Sequence, residues 1–174
     1  MKILKIIIGF TIFITISSNA QITKGNWMFG GNGTFKNYET TSMGISEKGT
    51  SLNLNPNIGY FFIDKLAVGT SAQLTVNSKF NSAIGFGPFV RYYILEKEKV
   101  FNIFSEVSYN IFQGIKNGDA KFETYNMKVG SVYFLTSSAG IELALNYSNQ
   151  KSTQDYQNKE IGLLVGFQIH LEKK

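Results

Sequence analysis

The amino-acid sequence predicts an all-β fold, an eight-stranded antiparallel up-and-down barrel that crosses a membrane on its strands. Three observations carry that reading. Eight stretches alternate apolar and polar residues with a period of two, as strands do when each face meets a different environment. Each stretch is about 10–13 residues long, whereas globular strands are nearer 5–6 and a tilted strand crossing a bilayer needs about 9–11. The links between them divide into short turns and longer polar loops.

The first strand, 25–35, is the least regular: Trp27, Phe29 and Phe35 share a face with Gly31 and Gly33, against Asn26, Gly30, Asn32 and Thr34. In 51–63 the apolar face is Leu52, Leu54, Pro56, Ile58, Tyr60 and Phe62, and the other begins Ser51, Asn53, Asn55, Asn57, Gly59. In 66–77 Leu66, Val68, Leu74 and Val76 oppose Ala67, Gly69, Ser71, Gln73 and Thr75. In 83–95 Ile84, Phe86, Pro88, Val90, Tyr92 and Ile94 oppose Ala83, Gly85, Gly87, Phe89, Arg91 and Tyr93. In 100–112 Phe101, Ile103, Val107, Tyr109 and Ile111 oppose Asn102, Phe104, Glu106, Ser108 and Asn110. The stretch 124–135 sets Tyr125, Met127, Val129, Tyr133 and Leu135 against Asn126, Lys128 and Gly130. The stretch 139–148 sets Ile141, Leu143, Leu145 and Tyr147 against Gly140, Glu142, Ala144 and Asn146. The last, 160–171, sets Ile161, Leu163, Val165, Phe167, Ile169 and Leu171 against Gly162, Gly166, Gln168 and His170.

Asp64-Lys65, Glu96 to Lys99 and Thr136 to Ser138 form short turns, while 36–50, 113–123 and 149–159 form long polar loops; Ser78 to Asn81 is a short link on the long-loop side. An even-stranded meander returns both termini to one end, and short turns opposite long loops is the asymmetry of outer-membrane barrels. Both termini and the short turns are therefore expected on the periplasmic side.

Alternation alone does not decide which face meets the solvent. A soluble barrel is apolar inside and a membrane barrel is inverted. Eight strands enclose a lumen just wide enough for side chains. The polar faces carry Gly, Ala, Ser and Asn, which fit such a lumen; the Leu, Ile, Phe and Tyr of the other faces would crowd it. The apolar faces are accordingly expected to meet lipid. Trp27, Phe29, Tyr60, Phe62, Tyr92, Phe101, Tyr133 and Phe167 gather at the short-turn end of those faces, and Phe35, Tyr109, Tyr125 and Tyr147 at the long-loop end. Two aromatic girdles are the interface pattern of a barrel in a bilayer.

Residues 1–20 read as a signal peptide: Lys2 and Lys5, an apolar run Ile6 to Ile16, then Ser18 and Ala20 at the −3 and −1 positions. That run is too short for a spanning helix, which needs about 20 residues. Residues 21–174 are the barrel domain. The 174-residue chain is 43% hydrophobic and 17% charged, too apolar for a disordered chain. It has no Cys and one His, which excludes disulfides, a thiolate metal site, a lipidated cysteine and a multi-histidine zinc site. The net charge of +5 contains no basic cluster, so nucleic acid is not an expected partner.

Stretches such as Asn57-Ile58-Gly59-Tyr60-Phe61-Phe62, Gly85-Phe86-Gly87-Pro88-Phe89-Val90-Arg91-Tyr92-Tyr93 and Gly166-Phe167-Gln168-Ile169-His170-Leu171, with this architecture, resemble one family over the whole of 21–174. It is the small eight-stranded outer-membrane barrels of Gram-negative bacteria, the OmpX and OmpA-barrel type, among the porin-family outer-membrane β-barrel domain proteins. The resemblance implies the cell outer membrane as location, its lipid as partner, and the barrel-assembly machinery as reader of the last strand. The family usually ends on an aromatic residue; here Leu171 is followed by Glu172-Lys173-Lys174.

The inward faces carry Arg91, Glu106, Lys128 and Glu142, with His170 near the short-turn end. If the 96–99 turn is symmetric, Phe104 opposes Arg91 and Glu106 lies diagonal to it. If 113–123 is symmetric as well, Ser108 opposes Lys128 and Glu106 is again diagonal. Glu106 is then within reach of two cations, which a buried charge requires. The expected role is a structural lumen network that ties strands together, in preference to a charged gate.

An enzyme reading needs a base beside a nucleophile. His170, Ser137 or Ser138 and Glu142 could meet at the short-turn rim, but lipid-deacylating barrels act at the outer, lipid-facing surface. Gly30-Gly31-Asn32-Gly33 has no following helix or lysine and reads as strand glycine. No catalytic, cofactor or metal site is expected. The function expected is a non-enzymatic one in envelope structure or surface interaction, with loops 36–50 and 149–159 as the contact segments. The alternatives are a narrow porin-like channel for small solutes and a soluble periplasmic ligand-binding barrel with its faces reversed.

Overall fold

The computed structural model describes residues 22–42, 45–78, 82–115, 121–152 and 157–172; the expected leader, 1–20, lies outside them. Eight strands follow one another around a single closed sheet, each antiparallel to its neighbours. They are β1 (Trp27–Ser42), β2 (Ile45–Ile63), β3 (Leu66–Asn77), β4 (Ala83–Tyr93), β5 (Phe101–Gly114), β6 (Lys121–Phe134), β7 (Ala139–Ser152) and β8 (Gln157–Leu171).

The rungs climb as they circle. From Trp27 the pairs run through Tyr60, Val68, Val90, Val107, Met127 and Tyr147 to Ile161. In the register set by Trp27↔Leu171, Ile161 lies level with Asn37, well above the start. This stagger tilts the strands, as closing eight of them into a barrel demands. Every residue on that path belongs to the apolar face, so one pleat faces outward throughout.

The faces fall as the bulk argument requires. Large apolar side chains from all eight strands point outward and stay exposed, Val129 by 59% and Leu145 by 59% in mid-strand. The two girdles flank them. Trp27, Phe62, Tyr92, Phe101, Tyr133 and Phe167 are exposed at the short-turn end, and Phe35, Tyr125 and Tyr147 at the other. Neighbouring girdle rings meet edge-on or tilted: Trp27 with Tyr60 at 5.2 Å between centroids, Tyr109 with Tyr125 at 4.9 Å.

Two of the three expected long loops, 36–50 and 149–159, are largely strand, and 113–123 is strand at both its ends. β1 and β2 continue through most of 36–50 and pair up to Ser42↔Ile45. β7 and β8 pair up to Lys151↔Gln157, and β5 and β6 up to Gln113↔Lys121. Beyond the apolar belt both faces of a hairpin meet water, so alternation fades while the backbone ladder continues. The β1–β2 hairpin is braced as well: the Tyr38 ring lies where a Gly49 side chain would be, and its hydroxyl donates to Asn77 Oδ1 at 2.8 Å.

The short-turn end is stapled shut. Lys65 turns the chain at φ 70°. Its N–H donates to the Ile22 carbonyl at 2.9 Å, which draws the segment before β1 across the barrel mouth. Ile22 is fully buried there. The Asp64 carboxylate accepts from the Lys24 N–H at 2.8 Å and from Lys97 Nζ at 2.6 Å. The Lys24 N–H, and then the Lys97 ammonium, hold its carboxyl below the ordinary value. A depressed carboxylate pKa adds stability that is complete above the unfolded value of about pH 4 and is lost as pH falls through the folded one.

Two variants test this architecture. A β-carbon on Gly87 would stand 1.7 Å from the Tyr109 carbonyl oxygen, inside the backbone of the next strand. Gly87→Ala is expected to cost at least about 1–3 kcal/mol, the range for overpacking, in denaturant unfolding of the detergent-solubilised barrel. In a pH series, Asp64→Asn should be less stable than the wild type at neutral pH and converge with it as pH falls below about 4, so that the acid loss of stability flattens.

Candidate functional site

The lumen is filled in three layers. At the short-turn end lies an apolar plug of Ile22, Met28, Phe61, Phe89, Phe104 and Val132, all essentially inaccessible. The period-two face rule delivers Phe61, Phe89 and Phe104 to the interior despite their bulk. Small residues make room for them: a β-carbon on Gly59 would stand 2.9 Å from the Phe89 ring.

Above the plug is a connected set of charges. Arg91 on β4 is 1% exposed. Its Nε donates to Glu106 Oε2 at 2.7 Å and its Nη1 to Glu142 Oε1. Lys128 Nζ donates to the other Glu106 oxygen at 2.6 Å. Gln168 donates from Nε2 to Glu142 and accepts on Oε1 from the Tyr93 hydroxyl, and the His170 ring nitrogen lies 2.6 Å from the same oxygen. The guanidinium carbon sits 4.3 Å from the Phe104 ring centroid. Two cations and two carboxylates cancel, so the cluster is neutral as a whole. It draws on β4, β5, β6, β7 and β8.

Of the five residues singled out in the sequence, Arg91, Glu106, Lys128 and Glu142 lie in this cluster. His170 lies a layer below and joins through Gln168, packed edge-on against Phe61 and Phe134 with centroids 5.4 and 5.3 Å away. The register differs from the expected one. Glu106 stands directly opposite both Arg91 and Lys128, and Phe104 opposes Tyr93. For the Arg91 pairing the β4–β5 turn is the cause. Ile94 N–H bonds to the Ile103 carbonyl, while the Asn102 side chain accepts from Leu95 N–H at 3.0 Å and donates to the Glu96 carbonyl at 3.1 Å. This clasp centres the turn closer to β5 than the symmetric 96–99 reading has it.

The Ser–His–acid arrangement is not assembled around Glu142, whose carboxylate is occupied by Arg91 and Gln168. Ser138 meets His170 through the backbone, its carbonyl accepting the His170 N–H at 2.6 Å. Among the described residues no three of His, Cys, Asp and Glu gather to hold a metal ion.

Above the charges lies a polar cavity of about 420 Å³, with Lys128 at its floor and asparagines in its walls. Asn55 Nδ2 donates to Asn32 Oδ1 at 2.8 Å, Thr75 to Asn53 at 2.8 Å, and Ser71 to Asn110 at 2.9 Å. The first two brace neighbouring strands, and the third reaches past β4 from β3 to β5. Sequence reasoning found the asparagine face of 51–57 but not this cavity, nor the parts of Tyr93 and Gln168. Both were placed on inward faces, and which of many inward residues meet is set by register.

No family model matches the chain, and no curated protein sequence matches it. Solved structures do. The crystal structure of the outer membrane protein OprG from Pseudomonas aeruginosa superposes with a TM-score of 0.57 at 14% identity, covering 88% of this chain and 100% of that one. The N-terminal β-barrel domain of OprF from the same organism gives 0.60 at 11% identity, covering 85% and 98%. Neisserial surface protein A, NspA, gives 0.56 at 16% identity, covering 84% and 97%. The fold is that of the small outer-membrane barrels. At these identities the likeness is one of architecture: the small-barrel frame is common to all four chains, and the lumen described above is argued from this chain's own residues.

Removing one partner of a buried ion pair leaves an uncompensated charge and costs about 3–5 kcal/mol. Arg91→Met strands Glu142 and half of Glu106, so it should lower barrel stability by that order in thermal unfolding. Adding Glu142→Gln to Arg91→Met should recover part of the loss, because the stranded charge goes with it. Glu106→Ala should also lower the unfolding temperature, and an unchanged value would sink the network.

Proposed function

We propose that the chain is an outer-membrane barrel of a Gram-negative bacterium, exported by a cleaved leader, with a non-enzymatic role in envelope structure and in surface contacts through its protruding hairpins. The observation that carries this is the inversion of the faces. Large apolar side chains cover the outside of all eight strands between two aromatic girdles, while charges and carboxamides lie within. Such a surface is stable in hydrocarbon and a liability in water. It runs against the soluble ligand-binding alternative, which needs the apolar face inside.

The plug bears on the channel alternative. Ile22, Met28, Phe61, Phe104 and Val132 are each wholly buried at the short-turn end, which favours a closed end over a channel. The barrel on this reading is a cup closed at its periplasmic end. The surface role falls to the β1–β2 and β7–β8 hairpins, whose backbone ladders continue beyond the girdles. Insertion by the barrel-assembly machinery would read β8, whose outward residues end on Phe167, Ile169 and Leu171.

The deciding experiment is gel migration of detergent-extracted outer membranes with and without boiling. A folded barrel resists SDS and shifts on heating; soluble periplasmic protein without a shift would overturn the reading. Mass analysis of the same band should place the mature N-terminus at Gln21. Val129 sits between the girdles, so Val129→Arg should cost about 2–4 kcal/mol in bilayers, and Tyr147→Arg at a girdle only about 0–1. Planar bilayers containing the protein should show no conductance steps.

A further inference from the structure

The wall of the barrel is incomplete on one side. The β1–β8 rungs run from Trp27↔Leu171 to Asn32↔Gly166 and stop, although β1 continues to Ser42 and β8 begins at Gln157. In the register those rungs set, Gly33 faces Val165, Phe35 faces Leu163 and Asn37 faces Ile161; none of these described residues pairs across the gap. The other neighbouring strands stay paired to their long-hairpin ends.

The polar cavity reaches this same gap. Its lining includes Gly162 and Leu164, which face inward, and Ile161 and Leu163, which face outward. A cavity bounded by both faces of one strand passes through the wall at that strand's edge. A β-carbon on Gly162 meets nothing within 4 Å, and Ile161 is 75% exposed, more than any other large apolar residue described.

We propose that the cavity and the β1–β8 gap form one binding site for a single-chain amphiphile drawn from the bilayer. Its uncharged hydroxyl- or amide-bearing head sits among the asparagines, and its acyl chain lies out through the gap against Phe35, Leu163 and Val165. This rests on the outer-membrane reading. Three features select the occupant. Asparagine, serine and threonine side chains make up most of the polar wall, where hydroxyl or amide donors of the head meet carboxamide oxygens and the Glu160 carboxylate, and the ions beneath it cancel. Lys128 gives one hydrogen bond to Glu106 and keeps ammonium N–H groups for an oxygen of the head. The strand edges at the gap carry unpaired peptide groups, which cannot be left bare toward hydrocarbon. A polar head satisfies those edges and an acyl tail satisfies the apolar rim; a wholly polar solute leaves the rim idle, and a wholly apolar one leaves the carboxamides unbonded.

The test uses the protein in phosphatidylethanolamine nanodiscs with a monoacylglycerol that carries a photoreactive diazirine beside its glycerol. Labelling should map to Asn126, Gly162 and Leu164 and saturate with unlabelled monoacylglycerol. Gly162→Phe, whose side chain starts in open space, should cut labelling about tenfold without loss of heat-modifiable migration. Val107→Phe, on the outward face of β5 and well away from the β1–β8 gap, should leave it unchanged. Unsaturable labelling spread over the outward belt, equal in Gly162→Phe, would overturn the site. So would competition by free glycerol as strong as that by the monoacylglycerol, which would mean a soluble solute. A sample that does not shift on boiling fails the outer-membrane reading and the site with it; a shifting sample with diffuse labelling fails the site alone.

Discussion

Arg91 is the point on which the interior turns. A barrel with its apolar side chains outside must fill its lumen with polar ones, and charges placed there are tolerable only if they meet their opposites at close range. Arg91 satisfies two carboxylates at once, Glu106 on the next strand and Glu142 across the lumen. Lys128 completes the second Glu106 oxygen and Gln168 serves Glu142. The cluster therefore links five strands that the backbone ladder joins only in sequence. Its neutrality as a set lets the layers on either side differ so sharply, aromatic below and carboxamide above.

The two layers do different work. The plug gives the short-turn end the packing that an ordinary globular core has, with Ile22 drawn in from outside the strands to finish it. The cavity has the opposite character: its walls are braced by Asn–Asn, Thr–Asn and Ser–Asn bonds that leave space between them. One end of the molecule is built for rigidity and the other to hold polar contents.

Most of the fold was legible in the sequence because a period of two is a strong signal wherever the two faces meet different surroundings. Strand number, order, inward faces and girdles all follow from it. The signal vanishes where the surroundings become alike, and so 36–50 reads as loop although β1 and β2 continue there as ladder. The candidate site was legible as a set of inward residues but not as a set of contacts. The Asn102 clasp in the β4–β5 turn shifts the pairing, and nothing in the alternation of 83–112 reports it. The missing β1–β8 rungs were invisible for a related reason: Gly33 to Asn37 and Ile161 to Val165 are ordinary strand residues by composition, and only their mutual placement leaves them unpaired.

The short β1–β8 junction also has a meaning in time. Its rungs join the first strand to the last, the contacts of greatest separation along the chain, so the loop-closure entropy they must overcome is the largest in the molecule. Before they form, the other strands are an open curl with two bare edges. Few rungs reward closure, and the burial of Met28 beside Gln168 and His170 supplies much of what the ladder lacks. Completion of the wall is thus coupled to packing of the interior, and the slow step of folding is the one at which the chain's two ends find each other.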